Sequence, residues 1–128
     1  MSCLLDTHTL LWMLSDSKRL SATARTTILG ADTELHFSMA SYWEIGIKIS
    51  LGKLSLAEAW QETIPRHMTR NGITWMPISP AHVHEVSCLP WHHRDPFDRL
   101  LAAQAKVNGL AIVSADTAFD RYEVERVW

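Results

Sequence analysis

Short apolar runs alternate along this chain with longer stretches of helical period. Ser2–Leu5 is an apolar run of strand length that breaks at Asp6, and Leu10, Leu11 and Leu14 then recur at helical spacing. Ser21–Leu29 reads as a helix with Ser21 as N-cap and Gly30 as its stop. Glu34–Ser38 is a strand, and Ser41–Leu51 a helix closed by Gly52. Ser55-Leu-Ala-Glu58 is a capping-box pattern that opens a further helix, which Pro65 kinks before it ends near Asn71 and Gly72. Ile73–Ile78 is a strand and Pro80–Ser87 a helix. Asp95-Pro-Phe-Asp98 opens the strongest helix, which runs through Val107 to Asn108-Gly109. Leu110–Val113 is fully apolar, Asp116 starts a short helical turn, and Val124–Trp128 makes a last edge strand.

Apolar strands alternating with helices predict an α/β fold, a three-layer α/β/α sandwich around a mainly parallel sheet. Residues 1–128 read as one domain, without linker, repeat or low-complexity tract. Nearly half of the residues are apolar (47%) and 20% are charged, the balance of a folded globule rather than a disordered chain. A net charge of −2 gives no basic signature, which argues against binding nucleic acid by phosphate neutralisation alone. Cys3 and Cys88 show neither staple nor zinc-knuckle spacing and fit a reducing compartment. The N-terminal run has no positive leader and is broken by Asp6 and His8, so it reads as neither signal peptide nor membrane span. A cytoplasmic location is expected.

Ligands of parallel α/β sheets bind outside the carboxyl ends of the strands. Asp6 follows the first strand directly, and Asp116 follows Leu110–Val113 by two small residues. Glu44 lies about one turn into the helix after Glu34–Ser38, and Asp98 sits in the first turn of the helix leading into the penultimate strand. Each has a purely structural reading. Asp6 fits a turn residue, Asp116 an N-cap and Ser41-Tyr-Trp-Glu44 a capping box; Asp98 complements a helix dipole behind the N-cap Asp95. Their shared placement favours a site. Four carboxylates in one cleft require a multivalent cation, and hard oxygen donors select Mg²⁺ or Mn²⁺, which suits phosphodiester hydrolysis by activated water.

Four motifs then stand in order: Leu4-Leu5-Asp6-Thr7-His8, Ser41-Tyr-Trp-Glu44-Ile45 with Lys48 and Gly52-Lys53-Leu54 behind it, His93-Arg-Asp95-Pro-Phe-Asp98-Arg99, and Ser114-Ala-Asp116-Thr-Ala-Phe119. Together they resemble the PIN-domain ribonucleases, and most of all the VapC-like toxins of toxin–antitoxin pairs. The resemblance covers essentially the whole chain. It implies the α/β/α sandwich and a Mg²⁺-dependent endoribonuclease, with Mn²⁺ also supporting activity. It places metal-binding and catalytic roles on Asp6, Glu44, Asp98 and Asp116. RNA is the implied substrate, a small antitoxin the implied partner, and a homodimer the implied assembly. A catalytically silent PIN-fold module acting with a DNA-binding partner is the alternative, against which the full acidic set argues.

Around these four, Thr7, Asp95 and Ser114 are candidates to support the carboxylates, with turn formation and helix capping as their structural readings. Lys48 stands at i+4 from Glu44, placed to pair with it or to face substrate. His93 and Arg94, with His92, project from the loop entering the catalytic helix, either toward RNA phosphates or as a solvated polar loop. Arg99, beside Asp98, is placed either to pair with a carboxylate or to face substrate. The run from Cys88 to Asp95, with His82 and His84 upstream, lacks the ligand pairing of a structural zinc site. Six tryptophans are many for 128 residues. Trp12, Trp43 and Trp60 are expected either in the core or along the groove that the implied antitoxin covers.

Overall fold

The computed structural model describes residues 1–57 and 59–128. Its elements are β1 (Ser2–Leu5), α1 (Thr7–Leu14), α2 (Ala22–Leu29), β2 (Glu34–Ser38), α3 (Met39–Ser50), α4 (Trp60–Arg70), β3 (Ile73–Met76), α5 (Pro80–Cys88), α6 (Pro96–Asn108), β4 (Ala111–Val113), a 3₁₀ turn (Thr117–Tyr122) and β5 (Arg126–Val127). The five strands form one sheet in the order β3-β2-β1-β4-β5, and every pairing is parallel. β1 lies at its centre, with Leu5 opposite Phe37 on one side and Val113 on the other.

Strand alternation feeds two separate cores. Cys3, Leu5, Leu35, Phe37, Ile73 and Val113 pack with Leu10, Ala24, Ile45, Ile64 and Met68, which places α1, α2, α3 and α4 over one face. Leu4, Met76 and Ile112 pack with Leu101, Ala102, Ala105, Phe119 and Tyr122, so α6 and the 3₁₀ turn cover the other. Successive strand residues thus point to opposite layers, and the expected sandwich is observed. Among the described residues, no helix is long and apolar enough to cross a membrane.

The helix boundaries have identifiable causes. Ser21 caps α2 through Ala24 N, and Gly109 ends α6 in the left-handed region at φ 66°. Pro77 has no N–H for the ladder, and β3 ends at Met76 rather than at Ile78. Two start sites differ from expectation. α3 begins directly after β2, with Ser38 as N-cap, so Ser41 is interior and the capping-box reading of Ser41 and Glu44 fails. α4 begins at Trp60 and not at Ser55; the Glu58 half of that predicted box lies outside the described residues. α4 continues through Pro65 to Arg70.

Candidate active site

Strand order decides where the acidic residues meet. The chain leaves β1 toward β2 on one side and returns as β4 on the other, so the β1–β4 boundary is a topological switch point with a crevice at its carboxyl end. An open cleft of about 470 Å³ occupies that position. Asp6, Glu44, Asp98 and Asp116 all line it, together with Asp95, Lys48, His8, Trp12 and Arg19.

Asp6 caps α1 and is 7% exposed. Its Oδ1 accepts from Thr7 N at 2.7 Å and its Oδ2 from Ser114 Oγ at 2.7 Å. The Thr7 hydroxyl donates at 2.7 Å to Glu44 Oε1, and Lys48 Nζ stands 2.9 Å from Glu44 Oε2. Ser114 Oγ also accepts from Asp116 N at 3.0 Å, and Asp116 Oδ1 caps the 3₁₀ turn through Ala118 N. One hydrogen-bonded chain therefore runs from Asp116 through Ser114, Asp6, Thr7 and Glu44 to Lys48. Thr7 and Ser114 each donate a hydroxyl proton to one of the carboxylates, and Lys48 pairs with Glu44. Asp95 caps α6, its Oδ1 accepting from Phe97 N and Asp98 N at 2.9 and 3.0 Å.

The carboxyl groups bear the cost of this crowding. Burial raises the Asp6 carboxyl above the usual range, opposed by the hydrogen bonds from Ser114 and Thr7. The Asp98 carboxyl is pushed up to about 8, first by burial and then by the charges of Asp95, Asp6, Asp116 and Glu44. Lys48 is raised by its hydrogen bond to Glu44 and by the charges of Glu44, Asp95 and Asp98, against burial. Five carboxylates face one another here with two permanently charged cations, Lys48 and Arg19.

This donor set fits a hard divalent cation by its chemistry, because only added positive charge lets all of these carboxylates ionise together at neutral pH. It is not a closed cage. Among the described residues, no three His, Cys, Asp or Glu side chains stand close enough to enclose an ion by themselves. Each of Asp6, Glu44 and Asp116 already holds a proton donor on at least one oxygen. Mg²⁺ keeps several waters and takes only one or two carboxylates directly, so the set suits an ion bound partly through water better than four direct ligands.

The predicted cationic contacts divide. Arg94 is exposed on the loop before α6 and lies outside the cleft lining. Arg99 is 2% exposed and turns away from the cleft. Its guanidinium donates to Val86 O, Leu89 O and Pro90 O at 3.1, 3.2 and 2.8 Å and lies 3.8 Å from the Trp91 ring centroid. The expectation that Arg99 meets substrate is corrected: its donors are spent tying the end of α5 and the segment after it to α6. His93 is held by Tyr122 and faces Asp98. His8 and Arg19 line the cleft without having been predicted as contacts; the loop carrying Arg19 shows no motif, whereas the i, i+4 pair His8–Trp12 was readable.

The tryptophans do not share one groove. Trp12 lines the acidic cleft between His8 and Trp128, with ring centroids 5.8 and 5.6 Å away. Trp60 lines a separate apolar groove of about 260 Å³ with Leu11, Leu14 and Leu56. Trp43 is 61% exposed and meets Phe97 edge-on at 5.5 Å.

Comparison with known proteins agrees with this architecture. The family model described as PIN domain matches residues 3–125. The chain is 31% identical over 116 residues to ribonuclease VapC22 of Mycobacterium tuberculosis (strain ATCC 25618 / H37Rv), covering 88% of this chain and 85% of that protein. Its fold is similar to that of VapBC2 from Rickettsia felis bound to a DNA fragment from its promoter (TM-score 0.73, 14% identity, all of both chains). VapBC-1 from nontypeable Haemophilus influenzae is likewise similar (TM-score 0.70, 16% identity, 98% of this chain and 96% of that one).

Proposed function

The chain belongs to the PIN domain family, and from that premise we propose that it is a Mg²⁺-dependent endoribonuclease, the toxin of a toxin–antitoxin pair. The observation that carries this reading is the convergence of Asp6, Glu44, Asp98 and Asp116 on one cleft at the switch point of the sheet. The similarity to a protein named ribonuclease VapC22 supports RNA as the substrate.

When bound, Mg²⁺ supplies a water of lowered pKa and neutralises charge on a phosphodiester; Mn²⁺ serves in the same way. Asp6, Glu44, Asp98 and Asp116 are the residues to hold it. Ser114 and Thr7 fix the oxygens of Asp6 and Glu44, so these two carboxylates are oriented before substrate arrives. The Asp98 carboxyl, pushed up to about 8 first by burial and then by the neighbouring carboxylates, would be held in its ionised form by a bound cation. Arg19 offers positive charge to the RNA backbone within an otherwise acidic cleft, while Lys48 is paired with Glu44, and Arg94 and His92 stand outside the cleft for flanking phosphates.

Partner and assembly follow from the same reading. The solved neighbours include a toxin–antitoxin complex from Klebsiella pneumoniae, and the apolar groove at Leu11, Leu14, Leu56 and Trp60 is the seat we assign to a small antitoxin. A homodimer working in the cytoplasm completes the proposal.

The test is cleavage of structured and unstructured RNA with Mg²⁺, with Mn²⁺ and with EDTA, comparing wild type and Asp98→Asn. Metal-dependent cutting that the variant loses supports the nuclease. Equal cutting by both overturns the site, and no cutting of any substrate moves a non-cleaving, partner-dependent module to first place.

A further inference from the structure

His93 lies between Asp98 and the 3₁₀ turn, and its ring is held on one side only. The Tyr122 hydroxyl oxygen lies 2.9 Å from His93 Nδ1, 3.3 Å from His93 N and 3.5 Å from Arg99 Nη1. A backbone N–H and a guanidinium N–H are donors only, so the hydroxyl oxygen accepts from both. Its single proton is then directed at Nδ1, which makes Nδ1 an acceptor. A neutral imidazole that accepts at Nδ1 carries its proton on Nε2. Nε2 is buried and has no hydrogen-bond partner among the described residues, while Asp98 Oδ2 stands 3.7 Å away. A shift of roughly 0.5–1 Å brings that pair within hydrogen-bond range.

We propose that His93 is a positioning residue for Asp98: Tyr122 fixes the Nε2–H tautomer, and Nε2–H holds the Asp98 carboxylate in one orientation toward an incoming cation. The inference rests on the metal-dependent reading above and replaces the expectation that His93 serves as an RNA contact. The ring has no open nitrogen to offer a phosphate, since one faces Tyr122 and the other Asp98. Tyr122 is itself buried, 1% exposed, with the His92 ring packed edge-on against it at 5.1 Å.

Two measurements test it. Long-range ¹H–¹⁵N NMR of the metal-free wild type reports the tautomer, and Nε2–H is expected; an Nδ1–H ring overturns the proposal without any variant having to fold. Mn²⁺ affinity is then measured by electron paramagnetic resonance for wild type, His93→Ala, His93→Gln and Asp98→Asn. His93→Ala is expected to weaken Mn²⁺ binding by about 10–100-fold. His93→Gln, whose amide donates from the ε position, is expected to regain most of that loss. Binding within twofold of wild type in His93→Ala, or no rescue by His93→Gln, overturns the role. If Asp98→Asn weakens binding while His93→Ala does not, the metal site stands and the positioning role falls. A wild type that binds no Mn²⁺ removes both.

Discussion

Ser114 Oγ donates to Asp6 Oδ2 at 2.7 Å across the β1–β4 boundary while accepting from Asp116 N at 3.0 Å. This hydroxyl thus joins two carboxylate-bearing turns that are far apart in sequence. Ser114→Ala leaves a buried carboxylate oxygen and a backbone N–H short of a partner, a cost of about 1–3 kcal/mol. Denaturant titration should show that loss. The Asp6 carboxyl should also rise further, because a hydrogen bond that opposes its burial is gone. RNA cleavage should fall about 10–100-fold, with the remainder restored in part by raising Mg²⁺.

Asp98 gives the protein a pH dependence opposite to that of an ordinary paired carboxylate. Its carboxyl, pushed up to about 8 in the folded protein, lies well above the 3.8 of a free aspartate. Between those values the unfolded chain has released the proton while the folded chain retains it. The metal-free protein therefore loses stability as pH rises from about 4 to about 8 and levels off above that. Asp98→Asn should flatten this slope and raise Tm at pH 8 while abolishing cleavage. Millimolar Mg²⁺ should stabilise wild type more at pH 8 than at pH 6, because binding must displace the proton at the lower pH. Thermal melts of both proteins at four pH values, with and without Mg²⁺, check the signs; a slope unchanged in the variant would assign the effect elsewhere.

The layer pattern and the acidic quartet were legible because each depends on local alternation and on position after an apolar run. Asp6 and Asp116 follow β1 and β4, which a sequence shows directly. The start of α3 was less legible. Ser38 and Ser41 are both acceptable caps, and the choice depends on how far β2 pairs with β3; the ladder reaches Ser38 opposite Met76, and the helix begins at once. That early start makes Glu44 an interior helical residue with its side chain free for Thr7 and Lys48. Arg99 was misread for a related reason. Its neighbour Asp98 faces the cleft, but a step of one residue on a helix turns about 100°, which carries Arg99 to the carbonyls of Val86, Leu89 and Pro90.

Arg99 and Arg94 should accordingly separate in a stability assay. Arg99→Met leaves three carbonyls without their donor and removes the cation over Trp91, an expected loss of about 3 kcal/mol or more. Arg94 is exposed, and Arg94→Ala should lie within about 0.5 kcal/mol of wild type. Urea unfolding of the two variants decides whether Arg99 clamps the segment between α5 and α6. A mild Arg99→Met with impaired RNA binding would return it to the substrate surface.

Arg19 tests how an acidic cleft admits a polyanion. It is exposed and lines the same cleft as the carboxylates. Among the described residues no carboxylate forms an ion pair with it. Lys48, the other permanent cation there, is held by Glu44 at 2.9 Å. Arg19 is therefore the charge free to meet a phosphate, and because it is exposed its contribution is screened by salt. Arg19→Ala should raise KM for RNA several-fold at low ionic strength with little change in kcat, since the residue touches none of the carboxylates that hold the reacting groups. At about 0.5 M salt the difference should largely vanish. Steady-state kinetics of wild type and variant at two ionic strengths separate the possibilities. A fall in kcat that persists at high salt would place Arg19 at the reacting phosphate instead of along the path that leads to it.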